Sequence, residues 1–253
     1  MTRRLLAGLA VAGLLAGCAP GRPGPPAASL GTVVDTAVPA AIRNLPLVTA
    51  DGRPTSLAAF GGRDVMIADF LSLCTDVCPL TSANTAAMAR AVTAAALGAR
   101  VVLLEISVDP ERDTPARLRA YQRLYGGPQA DWVLLTETPA NAAVLWRYFG
   151  VAVARAPEPK PATLDWLTHR PLTYDVDHSN VLVFLGPDGA ERFVVNAAPD
   201  TLGAVPPGPL VGALSPQGRN DLAHPDPVVS WTVPQALSVL SWLAGRKIPV
   251  AGG

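Results

Sequence analysis

Cysteine and histidine are scarce in this sequence, and neither sign of charge is in excess. The 253 residues include three cysteines and three histidines, and Lys plus Arg equal Asp plus Glu at 20 each. Without a basic surplus, the chain lacks the electrostatic attraction that binds nucleic acid. Aromatic residues, at 6%, are too sparse for base-stacking platforms. We therefore expect no nucleic-acid partner. The hydrophobic content of 49% is enough for the core of one domain.

The first 18 residues follow a pattern typical of an export signal. "MTRR" is a basic start, and the apolar run "LLAGLAVAGLLAG" is too short to span a bilayer comfortably. It ends in "LAGC", which resembles a bacterial lipobox, in which the cysteine carries lipid and becomes the mature N-terminus. We expect a lipoprotein signal peptide over 1–17 and lipid on Cys18. The chain would then be exported and lipid-anchored to a bacterial membrane, facing the periplasm or the cell exterior. An ordinary secretory signal or a signal anchor is the alternative.

The rest of the chain divides into a tether and one domain. Residues 18–30 are rich in Pro, Gly and Ala and predict a semi-extended tether. Predicted strands and helices then alternate over 31–248, which indicates an α/β domain. Within it, residues 199–233 have many Pro and Gly and no periodicity, so we expect an irregular insertion. Residues 234–245 predict a terminal amphipathic helix.

The order of the predicted elements indicates the fold. An apolar strand over 64–73 leads into a cysteine loop and a helix that begins at Pro79, and a second buried strand lies at 100–108. A β-hairpin with its turn at 186–189 comes late. A strand, cysteine loop and helix early with a hairpin late is the order of a thioredoxin-like fold. We predict a central mixed sheet flanked by helices.

Two cysteines stand together in "DFLSLCTDVCPLTSAN". Cys74 and Cys78 have three residues between them and lie at or before the start of the predicted helix. The helix N-terminus favours a thiolate, whereas Asp76 between them opposes it. The spacing is one residue wider than the C-x-x-C of dithiol oxidoreductases, which leaves room for an ion between the sulfurs. Two thiolates suit Cu(I) or Zn(II), but two ligands rarely hold a metal without a third.

A histidine is the natural third ligand, and the chain has three. His178 precedes the predicted hairpin strand, a segment that lies beside the cysteine loop in a thioredoxin-like sheet. His169 and His224 stand in proline-flanked stretches that predict exposed loops. The cysteine pair could instead form a structural disulfide, although bridging residues four apart closes little loop and so stabilises little.

The charged loop "SVDPERDTP" follows the second buried strand. We favour a structural role, in which Asp113 or Thr114 caps the next helix and Arg112 forms an ion pair. The alternative is that Asp109 or Asp113 lies near the cysteines and handles a proton or contacts a partner.

Four stretches resemble successive motifs of the SCO/SenC family, in the family's order. They cover about residues 45–195 and read "DFLSLCTDVCPLTSAN", "EISVDPERDTPARLRAY", "DWVLLTE" and "YDVDHSNVLVFLGPDG". Family members are thioredoxin-like, membrane-tethered proteins that bind one copper ion. The resemblance implies that Cys74 and Cys78 are thiolate ligands, that His178 is the imidazole ligand, and that Asp177 supports the histidine or faces a partner.

This chain departs from the family in two places. Thr75 stands where members often have proline after the first cysteine, and the resemblance does not extend to residues 199–233. Neither difference removes a ligand.

The resemblance implies a metallochaperone that carries one copper ion per chain to the binuclear copper centre of cytochrome c oxidase. Its partners would be cytochrome c oxidase subunit II or another cuproprotein, a thiol reductant, and the membrane through the lipid. Such a protein need not be an enzyme. The main alternative is a thiol–disulfide oxidoreductase that reduces cysteines of an exported client. A peroxiredoxin-like peroxidase and a lipoprotein with an inert disulfide are further alternatives.

Overall fold

The computed structural model describes residues 23–250 except 128 and 130. The predicted signal peptide and the lipidation site at Cys18 lie outside the described residues, as does the first part of the predicted tether. Among the residues that are described, no helix has the length and apolar character needed to cross a membrane.

The domain is built on an eight-stranded mixed sheet. Its strands, in chain order, are β1 (Thr32–Ala37), β2 (Leu47–Thr49), β3 (Pro54–Thr55), β4 (Asp64–Phe70), β5 (Val101–Ser107), β6 (Trp132–Thr136), β9 (Val181–Leu185) and β10 (Ala190–Asn196). In the sheet they lie in the order β1-β10-β9-β4-β5-β6-β2-β3. Two ribbons of two strands lie outside it: β7 (Val153–Pro157) with β8 (Tyr174–His178), and β11 (Ala198–Pro199) with β12 (Ser230–Trp231).

The helices flank this sheet. They are α1 (Ala40–Arg43), α2 (Cys78–Ala94), α3 (Pro115–Leu124), α4 (Pro139–Tyr148), α5 (Gly208–Ala213), α6 (Pro216–Ala223) and α7 (Val233–Ala244), with one 3₁₀ turn at Leu57–Phe60. Helices α2 and α7 pack against each other and against the central strands, and α3 packs on β6.

The sheet has the predicted thioredoxin-like arrangement. Strands β4, β5 and β6 are parallel, and the antiparallel hairpin β9–β10 joins the sheet alongside β4. All residues of β4, β5 and β9 are buried, because helices cover both faces of a sheet of this kind. This burial explains the near-continuous apolar runs in the sequence. The strand predicted over 64–73 ends at Phe70, three residues before the predicted end.

Helix boundaries follow the capping residues in the sequence. Thr114 and Thr138 each accept a hydrogen bond from a backbone N–H two residues inside the helix that they cap, and a proline follows each of them. Thr232 and Gln235 form a capping box at the start of α7, and Gly245 ends that helix in the left-handed region at φ 63°. The terminal helix begins and ends one residue earlier than predicted from the sequence.

The insertion at 199–233 is more regular than the sequence predicts. It contains α5, α6 and the paired strands β11 and β12. Helix α6 is capped by Ser215, with Pro216 as its first residue. The two helices have six and eight residues, too short for an apolar repeat to be visible in the sequence.

Candidate metal centre

The cysteines lie where the central strand turns into the first long helix. Strand β4 ends at Phe70, Cys74 lies in the loop that follows, and Cys78 is the first residue of α2. Neither cysteine is in a disulfide. Cys78 is buried at 1% exposure, whereas Cys74 is half-buried and lines a surface cleft that Cys78 does not line.

His178 approaches the sulfurs from the ribbon outside the main sheet. It is the last residue of β8, and it pairs with Val153 of β7. Its Nε2 lies 3.2 Å from the Cys78 sulfur. One donor atom from each of Cys74, Cys78 and His178 lies within 4.8 Å of the other two. The structure thus brings together the three predicted ligands across 100 residues of chain.

A buried carboxylate that the sequence argument overlooked orients the histidine. Asp69 in β4 contacts His178 Nδ1 through Oδ2, at 2.5 Å, and its Oδ1 accepts the Val181 N–H at 2.8 Å. The carbonyl oxygen of Ser179 lies 2.8 Å from the same Nδ1. With Nδ1 turned toward two acceptors, Nε2 faces the sulfurs, as in the carboxylate–histidine pairs of metal sites. The signal in the sequence was an aspartate interrupting a buried strand.

Asp177, which the resemblance placed beside the histidine, has a different position. It is exposed, and it lines the mouth of a cleft of about 220 Å³ above the sulfurs. Besides Cys74 and His178, the cleft is lined by four carboxylates: Asp76, Asp175, Asp177 and Asp221. Asp69 therefore takes the supporting role, and Asp177 faces solvent.

The half-buried sulfur is the more acidic of the two. A hydrogen bond from the Cys78 thiol is the largest cause that lowers the pKa of Cys74, to about 5, against burial; His178 adds to the lowering. The backbone N–H groups of Asp76 and Cys78 also point at the Cys74 sulfur, at 3.5 and 3.4 Å. Burial, followed by the hydrogen bond to Cys74 and the charge of that thiolate, raises the pKa of Cys78. The pair therefore consists of one thiolate and one thiol, mainly because of the contact between the two cysteines and the burial of Cys78.

The histidine gains a proton from its neighbours. Burial alone would lower the pKa of His178, but the contacts with Asp69 and then Cys74 outweigh it and raise the pKa to about 10. The imidazolium lies between a carboxylate and a thiolate, and its Nε2 proton occupies the nitrogen that would bind a metal ion. Metal binding must therefore displace this proton.

Asp113 supports the cysteine loop rather than capping α3. Its buried carboxylate accepts hydrogen bonds from the Ser72 N–H and hydroxyl and from the Ser107 hydroxyl, while the Trp166 indole donates to the Ser72 carbonyl at 2.7 Å. Burial raises the pKa of Asp113 to about 6. Thr114 is the cap.

The remaining predicted residues lie away from the sulfurs. Arg112 forms its ion pair with Asp109, which also accepts the Tyr174 hydroxyl at 3.2 Å. His169 and His224 are exposed, as predicted, and neither belongs to the cysteine–histidine group.

The donor set suits a soft cation. Two sulfurs and one imidazole nitrogen match Cu(I) or Zn(II), whereas Ca²⁺ and Mg²⁺ prefer oxygen ligands. Because Asp69 contacts Nδ1, the other ring nitrogen of His178, Nε2, already faces the sulfurs. The residues therefore fit the ion that the family resemblance implies.

Comparison with known families agrees with this chemistry. The SCO1/SenC family model matches residues 37–201. The chain belongs to the SCO1/SenC family. This SCO1/SenC match includes all three candidate ligands and ends near the start of the insertion.

Individual relatives are distant. A Stutzerimonas stutzeri protein named "Putative copper-binding protein" is 28% identical over 157 residues, which cover 62% of this chain and 70% of that protein. Arabidopsis thaliana ScoI with copper bound is 22% identical, with a TM-score of 0.49, over 66% of this chain and 88% of that one. Bradyrhizobium japonicum ScoI with copper bound is 23% identical, with a TM-score of 0.48, over 71% of this chain and 95% of that one.

Proposed function

We propose that this protein is an exported, membrane-anchored copper chaperone that binds one copper ion through Cys74, Cys78 and His178. The observation that carries the proposal is the convergence of the three donor atoms, with His178 Nε2 facing the sulfurs. Membership of the SCO1/SenC family and the name of the Stutzerimonas relative support copper over zinc. The basic, apolar and "LAGC" pattern at the N-terminus supports export and lipid attachment at Cys18.

The copper ion is the cargo, and each residue of the site has a different role in binding and releasing it. Cys74 offers a thiolate at once because its pKa is about 5. Cys78 and His178 each give up a proton as they become ligands, so uptake releases protons. Asp69 keeps the imidazole aligned throughout. Half-buried Cys74 is the accessible sulfur, so an acceptor's thiol or imidazole would attack from its side.

The proposed recipient is the binuclear copper centre in cytochrome c oxidase subunit II, or another exported cuproprotein. Transfer by ligand exchange requires that the recipient's ligands enter the cleft before those of this chain leave. The cleft of about 220 Å³ lined by residues on both sides of the sulfurs gives room for an approaching side chain or loop.

A Cu(I) competition titration of the reduced domain tests the proposal. The wild-type protein should take one Cu(I) from a chelator that competes for it, and Cys74→Ser and His178→Ala should take it less tightly. His169→Ala is the matched control, because that histidine is exposed and outside the group. If the Cys74 and His178 variants hold copper as tightly as the wild type, the proposal is wrong.

A thiol–disulfide oxidoreductase is the second candidate, favoured by the unequal acidity of the two free cysteines. The Cys74 thiolate would attack a client disulfide and release one client thiolate, which takes up a proton. Cys78 would then attack the mixed disulfide and release the second client thiol. The pair would end oxidised and need a thiol reductant. Insulin reduction that survives in His178→Ala but not in Cys74→Ser would favour this function.

A further inference from the structure

The insertion after the family domain packs directly on the cysteine loop. The family match ends at residue 201, and α6 lies beyond it. Ser215 and Gly218 of this segment contact Thr75 and Asp76, the two residues that follow Cys74. Gln217 and Asp221 of the same helix line the cleft above the sulfurs.

One peptide group links α6 to the Cys74 sulfur. The Thr75 carbonyl oxygen accepts the Ser215 N–H at 2.8 Å. The N–H of the same peptide group, that of Asp76, points at the Cys74 sulfur at 3.5 Å. Because a peptide group is planar, fixing its carbonyl fixes the direction of its N–H.

Side-chain contacts hold the two segments in one position. The Ser215 hydroxyl donates to the Asp76 carboxylate and accepts the Gly218 N–H at 3.0 Å, so one side chain caps α6 and ties it to the loop. A Cβ at Gly218 would lie 2.4 Å from the Thr75 carbonyl oxygen and 2.8 Å from the Asp76 Cα. Only glycine permits this approach without moving one of the two backbones.

We propose that Ser215 and Gly218 are positioning residues, which hold the Thr75–Asp76 peptide group so that the cysteine loop keeps its metal-binding geometry. This inference rests on the proposed copper function, and it assigns a role to a segment that lies outside the family match. Neighbouring groups that orient metal ligands typically contribute about 10–100-fold to metal affinity. Loss of this contact should therefore weaken copper binding by about tenfold.

Gly218→Ala breaks the contact and has a matched control in Gly212→Ala. A Cβ at Gly212, in α5 of the same insertion, would meet nothing within 4 Å. Alanine is the better helix former at both positions, so neither change should unfold its helix. Amide hydrogen exchange of the reduced, metal-free protein measures the mobility of the cysteine loop. A Cu(I) competition titration then measures the affinity.

We expect Gly218→Ala to speed exchange in the peptide that contains residues 74–78 while exchange in β5 stays as in wild type. Its Cu(I) affinity should fall by about tenfold, and Gly212→Ala should match wild type in both measurements. Unchanged exchange in the cysteine loop would show that the contact with Gly218 does not hold the loop. Faster exchange with unchanged affinity overturns the positioning role. If the wild-type protein binds no Cu(I), the proposed function is wrong. The exchange result would still decide whether α6 holds the cysteine loop in position.

Ser215→Thr and Ser215→Ala provide a second pair of variants. Threonine keeps the hydroxyl that caps α6 and reaches Asp76, whereas alanine removes it and leaves the Ser215 backbone N–H in place. The affinity of the threonine variant should stay near wild type, and that of the alanine variant should fall. Equal affinities in the two variants would overturn the role given to the Ser215 side chain.

Discussion

The two sides of the candidate metal centre are held by different kinds of structure. The sulfurs belong to a loop and helix packed on the central sheet, and Asp113 and Trp166 bind the base of that loop. The imidazole belongs to a two-stranded ribbon whose outer strand β7 is mostly exposed. What joins the sides is Asp69, which stands in β4 five residues before Cys74 and contacts His178. The packing of the loop and α2 on the central sheet thus fixes the sulfurs, and the carboxylate of Asp69 in β4 fixes the histidine.

Removing a ligand from each side should show the largest effect. Cys78→Ser should lower Cu(I) affinity by several hundredfold, because each ligand of a structural zinc site with four thiolate or imidazole ligands contributes about 2.5–4 kcal/mol of the total. His178→Ala should lower it by about 100-fold, since imidazole is the less soft donor. Competition titration of the two purified variants measures both. A larger loss in the histidine variant would reverse the comparison between the two sides.

Changing Asp69, the residue that joins the two sides, should give the next largest effect. Asp69→Asn keeps the shape of the side chain but removes its charge, and we expect about a tenfold loss of Cu(I) affinity. In the metal-free protein the pKa of His178 should fall from about 10, because burial lowers it and the Asp69 contact raises it. NMR titration of the imidazole resonances checks this. An unchanged His178 pKa would show that Asp69 does not hold the ring.

The cysteine side also contains a pH-sensitive core residue. Burial raises the pKa of Glu105, in β5, to about 7, and its Oε2 accepts the hydroxyl of Ser82 in α2. A carboxyl group with a raised pKa contributes its full stabilisation below pH 4.5, the ordinary pKa, where it is protonated. This contribution is lost as the pH rises through about 7, the pKa in the folded protein. The free energy of unfolding of the wild type should therefore fall over this interval.

Glu105→Gln should make that fall smaller, by a difference between the two ends of the interval on the order of 1–3 kcal/mol. Urea unfolding at several pH values measures it. Glu111→Gln is the control, because the same chemical change there affects a side chain that is 55% exposed. Equal pH profiles for wild type and Glu105→Gln would contradict the assignment.

The smallest effect should come from the exposed rim of the cleft. Asp177→Asn should change Cu(I) affinity by less than about twofold, because an exposed charge is screened by solvent and salt. The titration should be repeated at low and high salt. A loss as large as that in Asp69→Asn would contradict the assignment of the supporting role to Asp69 alone.

Much of the fold could be predicted from local patterns. The buried strands are continuous apolar runs, and the caps at Thr114 and Thr138 each precede a proline. Residues Cys74 and Cys78 are close in sequence, so their proximity is a local matter. The approach of His178 required the fold class as an intermediate step, because 100 residues separate it from Cys78.

Contacts made by single polar residues across long distances could not be predicted from the sequence. Asp69 looked like an interruption of a strand, and Asp113 looked like a possible helix cap. Helix α6 was hidden in a stretch rich in proline and glycine, and its contact with the cysteine loop depends on Gly218 lacking a side chain. None of these features has a local periodicity.

The sequence by itself determined the order of the main strands and helices outside the insertion, the start of α2 at the cysteine pair, and the motifs that resemble the SCO/SenC family. Hydrophobic periodicity, capping and motif spacing all act within a few residues. Tertiary structure decided which carboxylate meets His178, which sulfur is half-buried, and what covers the cysteine loop. Those outcomes depend on the directions in which side chains leave distant strands and helices, and on the burial that shifts their pKa values, which only the packed chain defines.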